Sequence, residues 1–189
     1  SDNNVVDQNE ADVSGGGSHG VFMYLSQLNQ FSFNNFKVNG SGSYAIAFLG
    51  DSNTSSHDTL ITSGENSPAV LFAGDNNVVY NALILTSGQN SPGINHVPIS
   101  KENKVYESRI GASSPLSSEV FFEQYFGNTF AGELALVSTS LDHNKVMFSP
   151  PSTARLIVQW YFNTFVRDQN GPLANARVEA YDKVNNLVF

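Results

Sequence analysis

The feature that most constrains the fold of this chain is a repeat with a period of 24 to 26 residues. An asparagine recurs at this spacing, at Asn4, Asn29, Asn53, Asn77, Asn103 and Asn128. Apolar residues recur in the same register, and the column seven positions after each asparagine holds Ala11, Phe36, Leu60, Ile84, Ile110 and Ala135. A fixed period of roughly 20–50 residues is the signature of a solenoid, a propeller or another repeat array.

Within each period the apolar columns come in pairs that are two residues apart, which is the spacing of a strand with one face turned inward. A third strand is predicted at the asparagine itself. Between the strands lie Gly, Ser, Asn and Pro, the residues of short turns. The near-identical segments TSGENSP (62–68) and TSGQNSP (86–92) mark the same corner in two adjacent periods. No stretch has the 3.6-residue apolar stripe of a helix.

These observations predict an all-β fold, a right-handed parallel β-helix of about six rungs over residues 1–150. Stacked rungs lie about 4.8 Å apart, so that residues of one column lie above one another. The asparagine column is expected to form a ladder of hydrogen-bonded amides, and His96 falls in an inward column. A leucine-rich repeat lacks support because no L-x-x-L-x-L pattern occurs, and a propeller blade needs about 40 residues.

Composition and charge exclude several classes of protein. The chain of 189 residues carries 9 Lys and Arg against 17 Asp and Glu, for a net charge of −8. It has no cluster of basic residues of the kind that binds nucleic acid phosphates. No apolar run reaches the roughly 20 residues of a membrane span. Because cysteine is absent, disulfides and thiolate metal sites are excluded. We expect no metal and no cofactor.

Two segments carry a resemblance to a known family. Residues 19–50, HGVFMYLSQLNQFSFNNFKVNGSGSYAIAFLG, and residues 66–94, NSPAVLFAGDNNVVYNALILTSGQNSPGI, resemble the coils of the pectate-lyase-like superfamily. The similarity is greater to its NosD-like branch, which is common in surface-layer and exported proteins. The resemblance implies the parallel β-helix fold and an extracellular or cell-surface location.

The repeat register ends near residue 150. The segment SPPS (149–152) places two prolines in the chain, and proline cannot donate to a strand ladder. Residues 151–189 are therefore predicted to be a second unit that opens with a strand capping the solenoid. The segment VRDQNGPLANARVEAYD (166–182) resembles the opening β-hairpin of carboxypeptidase regulatory-like or Ig-like modules. We expect the chain to be part of a larger exported protein or to be completed by neighbouring subunits.

One group of residues could carry catalysis on the outer face. The register places His57, Asp58, Glu107 and Arg109 in neighbouring outward columns, with the two carboxylates about two rungs, or roughly 10 Å, apart. This is near the separation in inverting glycosidases. The alternative is that these are solvated polar residues on an exposed sheet face, and the sequence favours that alternative.

An aromatic group at Phe121, Tyr125 and Phe126 could form a contact patch for sugar or protein. Two functions remain open at this point. The first is an extracellular structural or adhesive protein of a surface layer, sheath or filament, which associates with itself or with neighbouring surface proteins and has no enzymatic activity. The second is a protein that binds or cleaves polysaccharide along an outward groove.

Overall fold

The computed structural model describes residues 2–123, 132–150 and 152–161, and the backbone of two short strands at 167–168 and 171–172. The described chain is all-β, apart from one 3-10 turn at His143–Lys145. Its strands form a parallel β-solenoid of about six turns, as the sequence predicts. Among these residues no helix is long and apolar enough to cross a membrane.

The described strands are β1 (Val5–Asp7), β2 (Glu10–Val13), β3 (Val21–Tyr24), β4 (Gln30–Ser32), β5 (Asn35–Val38), β6 (Ile46–Leu49), β7 (Thr54–Ser56), β8 (Thr59–Thr62), β9 (Val70–Phe72), β10 (Val78–Tyr80), β11 (Leu83–Thr86), β12 (Ile94–His96), β13 (Asn103–Tyr106), β14 (Arg109–Ala112), β15 (Val120–Phe122), β16 (Glu133–Val137), β17 (Val146–Phe148), β18 (Arg155–Gln159), β19 (Arg167–Asp168) and β20 (Gly171–Pro172).

Each of the first five turns contributes one strand to each of three parallel sheets, and sheets A and C have further strands beyond them. Sheet A contains β1, β4, β7, β10, β13, β16 and β18 in that spatial order. Sheet B contains β2, β5, β8, β11 and β14, and sheet C contains β3, β6, β9, β12, β15 and β17. The strands are in register, so that Val79 pairs with Ser55 on one side and with Val105 on the other.

The core runs along the solenoid axis and is built from the inward columns of the three sheets. Its largest fully buried side chains are Phe48, Phe72, Phe122, Ile46, Leu60, Ile84, Ile94, Leu134, Leu136, His96, Val38 and Val70. Aromatic rings stack from turn to turn in sheet C, with ring centroids 5.5 Å apart for Phe48 and Phe72. Burial of these columns supplies most of the driving force for folding.

The last turn departs from the predicted register. Asn103 pairs with Leu134, so this turn is 31 residues long (134 − 103) rather than 25. The predicted columns depend on a constant period, and this turn is six residues longer than that period. Asn128, the predicted last asparagine of the column, lies outside the described residues. In sheet C, Val120 pairs with Val146, whereas the 25-residue period predicts that it pairs with Lys145, so that alignment is also wrong.

The predicted capping strand is β18, and it pairs in parallel with β16 as the seventh strand of sheet A. It covers the edge of β16, and Leu156 packs against the core. The alternation of apolar residues in this segment predicts that Val158 and Trp160 share the inward face with Leu156, but they are 47% and 64% exposed. Within the predicted hairpin of residues 166–182 the structure describes one antiparallel pair, β19 with β20, and the module that it was expected to open stays a prediction. The remaining residues of 162–189 lie outside the description, and the division at residue 150 stays a prediction.

Glycines allow the turns to stack closely at the corner between sheets B and C. A Cβ added to Gly64 would fall far inside van der Waals contact with the carbonyl group of Gly40 in the preceding turn. We expect Gly64→Ala to lower the free energy of unfolding by about 2 kcal/mol, because the new methyl group would force the backbone at residue 64 away from the backbone at Gly40. Urea unfolding followed by circular dichroism measures this.

The matched control is Gly111→Ala on the outer face of sheet B. The new methyl group would meet only the end of the Leu85 side chain, at 3.0 Å, and that side chain can rotate away. Gly111→Ala should lower the free energy of unfolding by less than about 1 kcal/mol. Equal losses in the two variants would contradict the close-stacking explanation.

Candidate functional site

Two polar ladders hold the corners that flank sheet A. In the first, each asparagine donates its backbone N–H and its side-chain Nδ2 to the Oδ1 of the next, from Asn4 through Asn29, Asn53 and Asn77 to Asn103. The donor–acceptor distances are 2.7 to 3.2 Å. Asn53, Asn77 and Asn103 are fully buried. This ladder satisfies buried backbone groups and does not offer them to a ligand.

The second ladder contains Asp58, one of the candidate catalytic residues. Asn34 donates its backbone N–H and its Nδ2 to Asp58 Oδ1 at 2.7 and 3.0 Å. Ser55 Oγ donates to Asp58 Oδ2 at 2.6 Å. Asp58 is only 1% exposed, and burial raises the pKa of its carboxyl group despite these hydrogen bonds. The prediction that Asp58 faces outward is therefore wrong. Its carboxylate instead accepts the hydrogen bonds that hold the corner between sheets A and B together.

The burial of Asp58 leads to a prediction about stability. A buried carboxylate with a raised pKa binds a proton more readily in the folded than in the unfolded state, so its contribution to stability falls as pH rises above the ordinary value of 3.8. Asp58→Asn removes the charge and keeps the oxygen that accepts from Asn34, and its new Nδ2 can donate to Ser55 Oγ once that hydroxyl rotates. We expect it to raise the free energy of unfolding at pH 7 by about 1 kcal/mol.

Urea unfolding at several pH values tests this expectation. The gain from Asp58→Asn should shrink toward pH 3, where Asp58 itself becomes neutral in the folded protein. Asp58→Ala is the comparison, since it removes the acceptor as well and should destabilise the protein at every pH. A loss of stability at pH 7 in Asp58→Asn would contradict the assignment.

A column of outward residues turns the chain between sheets A and B. Its members all have left-handed backbones, with φ between 46° and 57°: Gln8, Phe33, His57, Asn81, Glu107 and Ser138. This conformation suits Asn and costs energy for a bulky side chain. Phe33 nevertheless occupies it and is 59% exposed. A large ring held in strained backbone and turned to solvent points to a role outside the core.

The side chains of this corner contact one another along the solenoid axis. The rings of Phe33 and His57 stack with centroids 4.6 Å apart, and Tyr80 meets His57 edge-on at 5.6 Å. Asn81 Nδ2 lies 3.2 Å from His57 Nε2. A hydrogen bond to Glu107 raises the pKa of Tyr80. We call these five residues, Phe33, His57, Tyr80, Asn81 and Glu107, the corner strip.

The structure separates the four candidate catalytic residues. His57 and Glu107 lie in the corner strip, two turns apart. Asp58 lies inside, and Arg109 begins β14 with its exposed side chain beside the outer face of sheet B. Only Glu107 of the two carboxylates reaches the surface. In the described part of the chain, no three His, Asp or Glu residues come together in a way that could hold a metal ion.

Sequence reasoning missed Phe33 and Tyr80 as surface residues of interest. The signal for Phe33 was present, because an aromatic residue stands in a column whose other members are polar. Tyr80 and Tyr106 each stand three residues after a column asparagine, so the repeat register also held the signal for their pairing on the outer face of sheet A. Of the predicted aromatic patch, Phe121 lies half-buried on sheet C opposite Asn95. Tyr125 and Phe126 lie outside the described residues.

Comparison with known proteins identifies a structural neighbour. No family model matches the sequence, and no curated protein matches it. The crystal structure of a double mutant of the periplasmic alginate epimerase AlgG matches with a TM-score of 0.52 over 85% of this chain, at 11% identity. The chain spans 39% of the length of that protein. At this identity the likeness shows the fold alone, a parallel β-helix.

A second solved structure is QnrB1, a plasmid-mediated fluoroquinolone resistance protein. It has 14% identity to this chain over 82% of its length and 90% of the length of QnrB1. Its TM-score is 0.19. This likeness carries no argument.

Proposed function

We propose that this protein is an extracellular, non-catalytic adhesive scaffold that binds polysaccharide along the corner strip. The observation that carries the proposal is the line of exposed rings and polar groups fixed along the axis of a stiff solenoid. The structural neighbour is named as a periplasmic alginate epimerase, a protein that modifies a polysaccharide outside the cytoplasm. That name supports polysaccharide as the ligand class and a place outside the cytoplasm.

The chemistry of the corner strip suits a sugar chain. Phe33 and Tyr80 offer ring surface against which the apolar face of a sugar can pack. Asn81 and Glu107 offer an amide and a carboxylate that hydrogen-bond to hydroxyl groups. Because successive turns lie about 4.8 Å apart, an extended polymer along the axis would meet one of these positions at each turn.

The solenoid supplies the rigidity that adhesion needs. The polar ladders fix each corner to the next turn, and the ring of Phe33 is packed on His57. A binding surface that is already ordered loses little conformational entropy when a ligand is bound. The scaffold role, including association with itself or with neighbouring surface proteins, is part of this proposal.

Cleavage of polysaccharide is the less supported alternative. Inverting and retaining hydrolysis both use two carboxyl groups that face the sugar. Asp58 is engaged by Asn34 and Ser55, which leaves Glu107 without this predicted partner. Incubation with neutral and uronic-acid polymers, followed by detection of new reducing ends or unsaturated products, tests cleavage directly. Product formation would contradict the non-catalytic proposal.

Affinity electrophoresis in gels that contain single polysaccharides tests binding. The chosen variant is Phe33→Asn, because Asn removes the ring and suits the left-handed backbone, so the fold is retained. We expect the retarding polysaccharide to bind this variant about tenfold more weakly. The matched control is Phe22→Ala, which removes an exposed ring from the outer face of sheet C.

Retardation of the wild type and of Phe22→Ala, but not of Phe33→Asn, is the expected result. Equal retardation of all three proteins would show that binding occurs elsewhere. If no neutral or acidic polysaccharide retards the wild type, the proposed ligand class is wrong.

A further inference from the structure

The outer face of sheet B is balanced in charge although the chain is acidic. Its five strands turn ten residues outward: Glu10, Asp12, Asn35, Lys37, Thr59, Ile61, Leu83, Leu85, Arg109 and Gly111. Two of these residues are acidic and two are basic, so their charges sum to zero, whereas the whole chain has a net charge of −8. Two copies that approach through this face therefore meet less repulsion than the charge of the whole chain would cause.

The charges of this face are separated along the solenoid axis. Glu10 and Asp12 are exposed in the first turn, and Lys37 beside them pairs with Glu10 at 3.3 Å, so this end has a charge of −1. The opposite end has Arg109, which is exposed and has no ion-pair partner among the described residues. Glu119 is near this end, but it is 6% exposed and its carboxylate accepts a backbone N–H. The face is therefore negative at its first turn and positive at its fifth.

An apolar centre lies between the two charged ends. Ile61 in β8 and Leu83 with Leu85 in β11 are half-buried, and none of the three belongs to a hydrophobic core of the described chain. Beyond them Gly111 has no side chain, and a cavity of about 380 Å³ lies beside it on the outer side of sheet B. An apolar centre with a charged rim is typical of surfaces that contact another protein.

We propose that a second copy of the chain packs on this face, with its solenoid axis antiparallel to that of the first. A twofold axis along β8, in the third turn, makes the face self-complementary. Arg109 of each copy then meets Glu10 of the other copy, and Ile61 meets Ile61. A parallel arrangement is disfavoured because it brings Glu10 and Asp12 of the two copies together.

The size of the face limits the strength of this contact. Five strands about 4.8 Å apart give a face about 20 Å long, which is small compared with the interfaces of permanent dimers. The dimer is therefore expected to dissociate on dilution. This inference rests on the self-association that the proposed function includes, and it names the surface responsible.

Charge reversal tests the arrangement by sedimentation velocity over a series of protein concentrations, without polysaccharide. The wild type should form a dimer that dissociates on dilution. Arg109→Glu and Glu10→Arg should each weaken association about tenfold or more, because like charges then face one another. An equimolar mixture of the two variants should regain the association of the wild type, since every carboxylate of one variant then faces a guanidinium of the other.

Lys104→Glu is the matched control for Arg109→Glu. It makes the same change in charge in the same turn of the solenoid, but on the outer face of sheet A, and it should associate as the wild type does. Circular dichroism verifies that each variant is folded. A wild type that stays monomeric at about 1 mM, or a mixture that associates no better than its separate components, overturns the proposal. Polysaccharide binding by such a monomer would separate this failure from a failure of the proposed function.

A cysteine cross-link tests the position of the twofold axis, because the chain has no cysteine of its own. Thr59→Cys places a thiol on the outer face of sheet B in the third turn, where a short bis-maleimide should join two copies. Thr54→Cys is the control, since this half-buried threonine lies in the same turn on the outer face of sheet A. Equal cross-linking of the two variants would show that the copies do not meet through sheet B.

Discussion

Asn53→Ala is expected to lower the free energy of unfolding by about 4 kcal/mol. Asn53 is fully buried, and its side chain takes part in four hydrogen bonds. Its Oδ1 accepts the backbone N–H and the Nδ2 of Asn29, and its Nδ2 donates to Ser26 O and to Asn77 Oδ1. The truncation leaves the backbone N–H and the Nδ2 of Asn29 and the carbonyl oxygen of Ser26 without these bonds, while Asn77 Oδ1 still accepts the backbone N–H of residue 53. Each buried group that loses its partner costs roughly 1–3 kcal/mol.

The measurement is urea unfolding at pH 7, followed by far-ultraviolet circular dichroism. Asn39→Ala is the control, because Asn39 also bonds to the turns on both sides, to Asp12 and to Ser63, but at an exposed corner. Asn39→Ala should lower the free energy of unfolding by less than about 0.5 kcal/mol. Both residues are asparagines that bond to the turns on either side, but the bonds of Asn53 are buried and more numerous, so the comparison measures what the buried ladder adds. Equal losses in the two variants would show that the buried ladder adds nothing to stability.

His96 is expected to make the protein sensitive to acid. Its ring is fully buried between Phe72 and Phe122, with centroids 6.2 and 5.3 Å away, and Ser100 Oγ lies 3.2 Å from its Nε2. Burial lowers the pKa of His96 from 6.5 to about 4. The unfolded state therefore binds a proton that the folded state rejects between these two values. The contribution to stability is complete above pH 6.5 and is lost as pH falls toward 4, in total about 3 kcal/mol.

His96→Phe should remove this part of the pH dependence. The new ring continues the aromatic stack of sheet C and cannot be protonated. The free energy of unfolding, measured in urea from pH 4 to pH 7, should fall about 3 kcal/mol less in the variant than in the wild type. His143→Gln, which changes an exposed histidine of the 3-10 turn, should keep the wild-type slope. Parallel slopes for His96→Phe and the wild type would refute the role of His96.

The repeat in the sequence predicted much of the architecture because each turn stacks directly on the last. A residue such as Leu60 has Phe36 above it and Ile84 below it. Every residue of such a column must therefore be apolar for the column to remain in the core. The asparagines repeat for the same reason, since each side chain bonds to the next. Composition and period together were sufficient for the all-β solenoid, its number of turns and the inward position of His96.

The candidate site was predicted less well, for a local reason. Counting alternate residues assumes an extended backbone, and His57 has φ of 57°. A left-handed residue turns the chain through the corner, so the residue after it points inward. Asp58 therefore enters a ladder, while His57 and Phe33 are turned to solvent. Residue types alone do not show at which position the backbone takes this conformation.

The sequence by itself determined that the chain is a stack of three-stranded turns with continuous inward columns. The reason is that each turn packs directly on the last, so the same positions must be apolar in every turn. The tertiary structure decided where this regular stacking ends. It placed Leu134 beside Asn103 after a longer turn, and it ended sheet B at β14 while sheet A continues to β18. In the described part of the chain, only the isolated bridge between Arg109 and Ser140 continues sheet B beyond β14. Such a place depends on where the repeat stops, and a repeat pattern describes only how it continues.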